Sequence, residues 1–219
     1  MAHRLLPFRQ YDENDVVNLF ALNVGGGTNL LSTKPDVDGD NADGVLVKVE
    51  NGNMNENDVV VNTAEHGQFM NSYNSPVGRN PYPTNPLTLV PATTGAATLG
   101  VTLMQTLSID ENNESLQFNP VKKDELQAVL SGQTVPVLTK GLITVTEKAV
   151  TKVGASAIAV GSRLASKQGK FIEAKADDNN PIGVCIGTGM RGLNHNDPTY
   201  GAIQPDFQSG RYYLIKLSC

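Results

Sequence analysis

The chain has 219 residues, 39% hydrophobic and only 18% charged, with a net charge of −5 and no Trp. This acidic balance argues against nucleic acid as a partner, because binding to phosphates requires a concentrated basic face. No run approaches membrane-spanning length and no signal-peptide core follows the start, so we expect a protein made in a reducing cytoplasm, without a membrane partner.

The first segment, residues 1–24, is too apolar for a disordered tail. Two structures fit it: a first strand of the core, or an arm that packs on a neighbouring molecule. Polar residues interrupt the segment before a regular period develops, which slightly favours the arm. The predicted partner contacts on this segment are Leu5, Leu6, Phe8, Tyr11 and Phe20.

The next segment, residues 25–80, is predicted to be an N-terminal β lobe. It contains the clearest strand pattern in the chain, in which Val45, Val47 and Val49 alternate with bulkier or charged residues. The pair Asn51-Gly52 that follows is a hairpin signal. The Asn- and Pro-rich stretch 67–91 cannot continue a helix, so we place a boundary between two lobes there.

An acidic loop precedes that strand, with carboxylates at Asp36, Asp38, Asp40 and Asp43. An EF-hand counted from Asp36 would require Gly at its sixth position and Glu at its twelfth. Those positions hold Asn41 and Val47, so the motif fails. A looser calcium site stays open beside the simpler interpretation, a hydrated turn.

Residues 87–219 are predicted to form a C-terminal β-barrel or sandwich domain that includes one short helix at 120–130. Asn119 is a good N-cap, Pro120 suits the first helical position, and Gly132 follows the end. About eleven residues would give a helix across one face or end of a sheet. Its predicted apolar stripe consists of Leu126, Val129 and Leu130.

From Gly141 to Leu217 the chain consists of short apolar segments bounded by Gly, Pro, Asn or Asp. This is typical of a small antiparallel sheet, closed or sandwiched. Cys185 lies in one such segment and is most simply a small buried hydrophobe. The predicted fold class of the whole chain is mainly β, with small antiparallel barrel or sandwich modules, one short helix and long ordered loops.

Catalytic motifs are missing from the sequence. His3, His66 and His195 are widely separated, and no His-x-x-x-His, Cys-x-x-Cys or Gly-x-Ser-x-Gly pattern accompanies them. The glycine run at 25–27 lacks the Lys-Ser/Thr pair of a P-loop. We therefore expect no enzyme, no catalytic residue, no metal and no cofactor.

The C-terminal part carries a family resemblance. Its motifs are Val153-Gly154, Val160-Gly161-Ser162-Arg163-Leu164, Gly169-Lys170-Phe171-Ile172-Glu173-Ala174 and Asn180-Pro181-Ile182-Gly183-Val184, closing on Tyr212 to Leu217. Over residues 130–217 the chain resembles the capsid decoration, or cement, proteins of tailed bacteriophages. In that family a strand leads to a Gly-Ser/Asp-x-Leu turn, a short Gly-x-Phe/Ile hairpin and then Pro-Ile-Gly-Val.

The resemblance implies a virion structural protein on the capsid surface, made in the host cytoplasm. Such a protein binds the outer face of the assembled head, bridges major capsid protein subunits and forms a small homo-oligomer, a dimer or trimer. Two alternatives remain. The same modules could serve in a tail or head–tail adaptor, and a hydrolytic or carbohydrate-binding domain would require a deep pocket with convergent polar groups.

Overall fold

The computed structural model describes residues 3–20, 35–36, 38–50, 88–130, 133–151, 158–175, 180–191 and 210–219. Outside these ranges lie the Asn51-Gly52 hairpin signal, most of the boundary stretch 67–91, the glycine run 25–27, His66, His195, Val153-Gly154 and Gly132. The described residues are mainly β with one short α-helix, so the predicted fold class is confirmed.

Thirteen strands are described, with one α-helix, α1 (Pro120–Glu125), and two short 3-10 helices at Glu13–Asp15 and Glu147–Ala149. The strands are β1 (Leu5–Gln10), β2 (Val16–Phe20), β3 (Leu46–Glu50), β4 (Thr88–Pro91), β5 (Gly100–Thr102), β6 (Gln105–Thr106), β7 (Ala128–Val129), β8 (Thr134–Leu138), β9 (Lys140–Thr146), β10 (Arg163–Lys167), β11 (Lys170–Glu173), β12 (Gly183–Arg191) and β13 (Gly210–Ser218).

Two antiparallel sheets contain most of these strands. The six-stranded sheet has the order β1-β9-β13-β12-β10-β11, and the five-stranded sheet has the order β2-β8-β5-β3-β4. β6 and β7 form a separate parallel pair. Among the described residues neither large sheet closes into a barrel, so of the two predicted forms the sandwich is the one that fits.

The two large sheets share one apolar core. Strand β3 shows how the sequence builds it, because its alternating side chains point to opposite faces. Leu46 lies in the shared core, whereas Val45 and Val47 lie in a second core on the other face of the five-stranded sheet. The predicted alternation is thus confirmed, and both faces of β3 are buried. Shared-core residues include Leu5, Leu138, Ile143, Leu164, Phe171, Cys185, Tyr213 and Ile215.

The β10–β11 hairpin fastens one sheet to the other. Its two-residue turn has positive φ at both positions, 49° at Gln168 and 70° at Gly169, as a type I′ turn requires. The Gly169 N–H donates to the carbonyl of Ala92 at 3.0 Å, and the Leu46 N–H donates to the carbonyl of Gly169 at 2.9 Å. The tip of a hairpin in the six-stranded sheet is therefore hydrogen-bonded to the five-stranded sheet.

The N-terminal segment lies within the sheets. β1 pairs with β9 in the six-stranded sheet, and β2 pairs with β8 in the five-stranded sheet. Of the two structures proposed for residues 1–24, the described part adopts strands and not a projecting arm. β3 pairs with both β4 and β5, so hydrogen bonding crosses the expected boundary between 25–80 and 87–219. Most of the 25–80 segment is not described, and its lobe stays a prediction.

The helix begins as predicted and ends early. The Asn119 side chain accepts from the Lys122 N–H at 3.2 Å, which confirms the N-cap. The helix then covers six residues, and Gln127 has a φ of 47°. The predicted eleven-residue length and the helical stripe through Val129 are wrong, because Val129 belongs to β7 and its backbone pairs with β6.

Candidate interaction surface

Two of the five predicted contact residues lie in the interior. Leu5 and Leu6 are only 2% and 4% exposed, and Leu5 belongs to the shared core. Pairing of β1 with β9 turns Leu5 inward opposite Val145. This corrects the sequence prediction, because side chains buried within the chain itself cannot form its outer surface.

Phe8 and Tyr11 lie on the surface, with exposures of 63% and 39%. Phe8 falls in an irregularity of β1, where the four-residue step from Leu5 to Arg9 faces a two-residue step on β9. Such a bulge redirects side chains away from the sheet. The Arg9 Nε donates to the carbonyl of Leu6 at 3.0 Å across the bulge. The side chain of Phe20, in β2, lies outside the described part of the structure.

Tyr11 forms one wall of an open cleft of about 520 Å³. The cleft lies where the chain passes from one large sheet to the other, after β1 and before β9. Gly141 allows this packing, because a Cβ there would lie 2.6 Å from the Tyr11 Cβ. The lining residues are Gln10, Tyr11, Asp12, Asp15, Lys140, Gly141, Leu142, Lys216 and Leu217.

The chemistry of this cleft is limited. The Asp12 carboxylate already accepts from the Asn14 backbone at 2.9 Å and from the Asn14 amide at 2.7 Å. The Thr139 hydroxyl donates to the carbonyl of Asp15, a lining residue, at 2.8 Å and so holds Asp15 against the end of β8. None of the described residues that line the cleft is Ser, Cys or His. Its open form differs from the deep pocket that a hydrolytic site requires.

The acidic loop is held to the sheet by buried Arg4. This side chain is 0% exposed, and its Nη2 donates to the carbonyl of Gly39 at 2.8 Å. Its backbone N–H donates to the Asp43 carboxylate at 2.8 Å, and His3 contacts the other oxygen of Asp43 at 3.2 Å. Burial lowers the pKa of the Arg4 guanidinium, and Asp40 and Asp43 oppose that shift.

Asp38, in the same loop, is paired with lysines on other elements. Its carboxylate lies 3.0 Å from Lys148 Nζ and 3.8 Å from Lys170 Nζ. The hydrogen bond from Lys148 lowers the pKa of Asp38. Cationic side chains of the protein therefore lie next to this carboxylate of the loop. Within the described ranges, no group of three or more His, Cys, Asp or Glu side chains could hold a metal ion, which gives the looser calcium site no support.

A second exposed apolar feature was missed in the sequence. Phe118 and Val121 are 81% and 78% exposed, more than any other large hydrophobic residue described. We name residues 118–121 the Phe118 knob. The signal was present, since Phe118 precedes the N-cap and Val121 does not share the helix face of the buried Leu126.

Cys185 behaves as expected from the sequence. It is 1% exposed in the shared core, which confirms the small buried hydrophobe. Burial raises the pKa of its thiol, so the thiolate that would be reactive is disfavoured.

Among the described residues, no helix has the length and apolar character needed to cross a membrane.

Comparison of the chain with family models, with curated proteins and with solved structures gives no match.

Proposed function

We propose that this chain is a virion structural protein of a tailed bacteriophage. In this role it is a capsid decoration protein, which binds the outer surface of the assembled head and stabilises contacts between major capsid protein subunits. The observation that carries the proposal is the pair of exposed aromatic side chains, Phe8 in β1 and Tyr11 directly after it, at one edge of the six-stranded sheet. Exposed aromatic groups on fixed backbone are typical anchors of protein–protein contact.

The C-terminal sequence motifs support the proposal through the elements that they form. The motif at 160–164 leads into β10, the motif at 169–174 forms the β10–β11 turn and β11, and the motif at 180–184 leads into β12. Gly161 and Gly169 have φ of 88° and 70°, so the turns require glycine. The residues that resemble the decoration proteins are therefore the ones that shape this sheet.

The stabilising mechanism follows from the coupling between binding of this protein and assembly of the shell. A protein that binds only the assembled shell stabilises that shell by mass action. A small homo-oligomer, a dimer or trimer, would contact several subunits at once and gain avidity without new kinds of contact. No catalytic group is needed for this role.

A binding assay on empty heads tests the proposal. We expect the unaltered chain to sediment with heads assembled from the major capsid protein of the same phage. The Phe8→Ser/Tyr11→Ser variant should bind on the order of 10-fold more weakly, because truncating anchor residues removes most of their contact. Val160→Ser is the matched control, since Val160 is 60% exposed and precedes β10, which three strands separate from β1.

The outcomes separate the claims. Failure of the unaltered chain to bind heads would rule out the decoration function. Equal binding by the double variant and the control would remove Phe8 and Tyr11 from the contact. Imaging the bound particle distinguishes the head surface from the alternative location in the tail or head–tail adaptor.

A further inference from the structure

The Phe118 knob presents apolar surface that the fold of the described residues does not use. Phe118 and Val121 point away from the small core beneath them, whose members Leu116 and Leu126 are 1% and 0% exposed. Isolated exposed hydrophobic residues are common, but here Phe118, Pro120 and Val121 are all exposed within four positions. This local concentration points to an interaction surface.

The backbone of the knob is fixed before any partner binds. The Phe118 N–H donates to the Ser115 carbonyl and the Asn119 N–H donates to the Leu116 carbonyl, each at 3.3 Å. The Asn119 side chain caps the helix, and the small core anchors both ends of the segment. A fixed segment loses little conformational entropy on binding, so more of its apolar contact contributes to affinity.

The surroundings of the knob are acidic. Residues 111–125 contain four acidic and two basic side chains, a net charge of −2. One of the two lysines, Lys122, is shared between Glu111 at 2.9 Å and Glu125 at 3.5 Å. These two glutamates are 49% and 60% exposed, and the lysine that they share directly follows Val121 in the chain. A partner with a Lys- or Arg-rich border would match this charge.

We propose that the Phe118 knob inserts into an apolar pocket with a basic rim on a subunit of the shell. This inference rests on the proposed function and names a second contact, distinct from Phe8 and Tyr11. The convex shape of the knob calls for a concave partner, and its negative border calls for a positive one. Contact with the knob of another copy is disfavoured, because it would bring two acidic borders together.

The experiment compares variants in binding to empty heads at low and at high salt. Phe118→Ser/Val121→Ser should weaken binding roughly 30-fold, the effect of losing hot-spot residues. Phe118→Leu should retain most of the binding, because it keeps an apolar group. Glu111→Gln/Glu125→Gln should weaken binding at low salt and flatten its salt dependence, because rim charges act mainly through screened attraction.

Val160→Ser again serves as the control, with equal thermal unfolding temperatures required for all variants. Both altered knob side chains are exposed, so the fold should persist. If the double variant unfolds, Phe118→Ser alone takes its place: weaker binding than Val160→Ser supports the knob contact, and equal binding overturns it.

The possible failures are distinguishable. If the unaltered chain does not bind heads, both the proposed function and this inference are ruled out. If the unaltered chain binds and the knob variant binds equally well, only the inference is overturned. Unchanged salt dependence in the glutamate variant would overturn the basic rim. A change of oligomeric state without heads, measured by sedimentation velocity, would reassign the knob to self-association and overturn the inference.

Discussion

Gly169 shows how a single residue can couple the two sheets. Its φ of 70° is one that residues with a side chain rarely adopt, and an added Cβ would lie 2.9 Å from Cγ1 of Val45. Gly169→Ala should therefore lower the free energy of unfolding by about 2 kcal/mol or more, since backbone strain and a steric clash add. Urea denaturation measures the loss.

Gly95→Ala is the matched control for that substitution. Gly95 has a similar φ of 77°, but nothing lies within 4 Å of an added Cβ. It should lose only the strain contribution, about 1 kcal/mol. Equal losses at the two positions would show that a Cβ at residue 169 meets no steric penalty from Val45.

The apolar N-terminal run shows what sequence alone could and could not predict about contact residues. Leu5, Leu6, Phe8 and Tyr11 have similar apolar character, so composition marks all four as candidates. The bulge between Leu5 and Arg9 decides which of them face outward. That bulge depends on pairing with β9, more than a hundred residues away in the chain, and no local pattern encodes it.

At the scale of elements, the acidic loop is coupled to the sheets through Asp38. Because the hydrogen bond from Lys148 lowers the pKa of Asp38, the folded state binds a proton on this carboxylate more weakly than the unfolded state does. The resulting stabilisation is fully present above the unfolded pKa of about 3.9 and is lost as pH falls through the lower folded value. Asp38→Asn should therefore destabilise the protein at neutral pH and not at about pH 2.

The size of this effect is limited by solvent. The Asp38 side chain is 54% exposed, so we expect less than about 1 kcal/mol at neutral pH. Thermal unfolding of Asp38→Asn at both pH values measures it, with Asp124→Asn, an exposed carboxylate of α1, as the control. A loss of the same size at low pH would contradict the ion-pair explanation and assign the effect to loop geometry.

The short helix and the strands differ in how well local sequence predicts them. The cap at Asn119 and the alternation in β3 are local patterns, and both are confirmed. The early end of α1 could not be predicted in the same way, because Leu126, Val129 and Leu130 have helical spacing. What ends the helix is parallel pairing of β7 with β6, a contact between segments some twenty residues apart.

At the scale of the whole molecule, the chain crosses repeatedly between the two sheets. β1 and β2 are consecutive yet belong to different sheets, as do β8 and β9. The Asn- and Pro-rich composition of 67–91 suggested a boundary, but β3 and β5, which lie on either side of it, pair within one sheet. Composition reports where turns are frequent, whereas domain boundaries depend on which strands share a core.

The expected C-terminal domain can therefore be tested as a fragment. A chain of residues 87–219 lacks β1, β2 and β3, which pair with β9, β8 and β5 in the intact protein. It also lacks Leu5 and Leu46, which are 2% and 0% exposed in the shared core. Strands β9, β8, β5 and β4 would each have an unpaired edge, and together with the incomplete core this should prevent a cooperative fold.

We expect this fragment to show no sharp thermal transition and poor dispersion of its amide resonances, while the full chain shows both a transition and good dispersion. Supplying residues 1–86 as a separate chain during refolding should restore the transition, because the missing strands would then be present. That second measurement separates loss of β1, β2 and β3 from simple insolubility of the fragment. A cooperative transition of 87–219 alone would establish an independent C-terminal domain and show that the N-terminal strands are additions to a complete sheet.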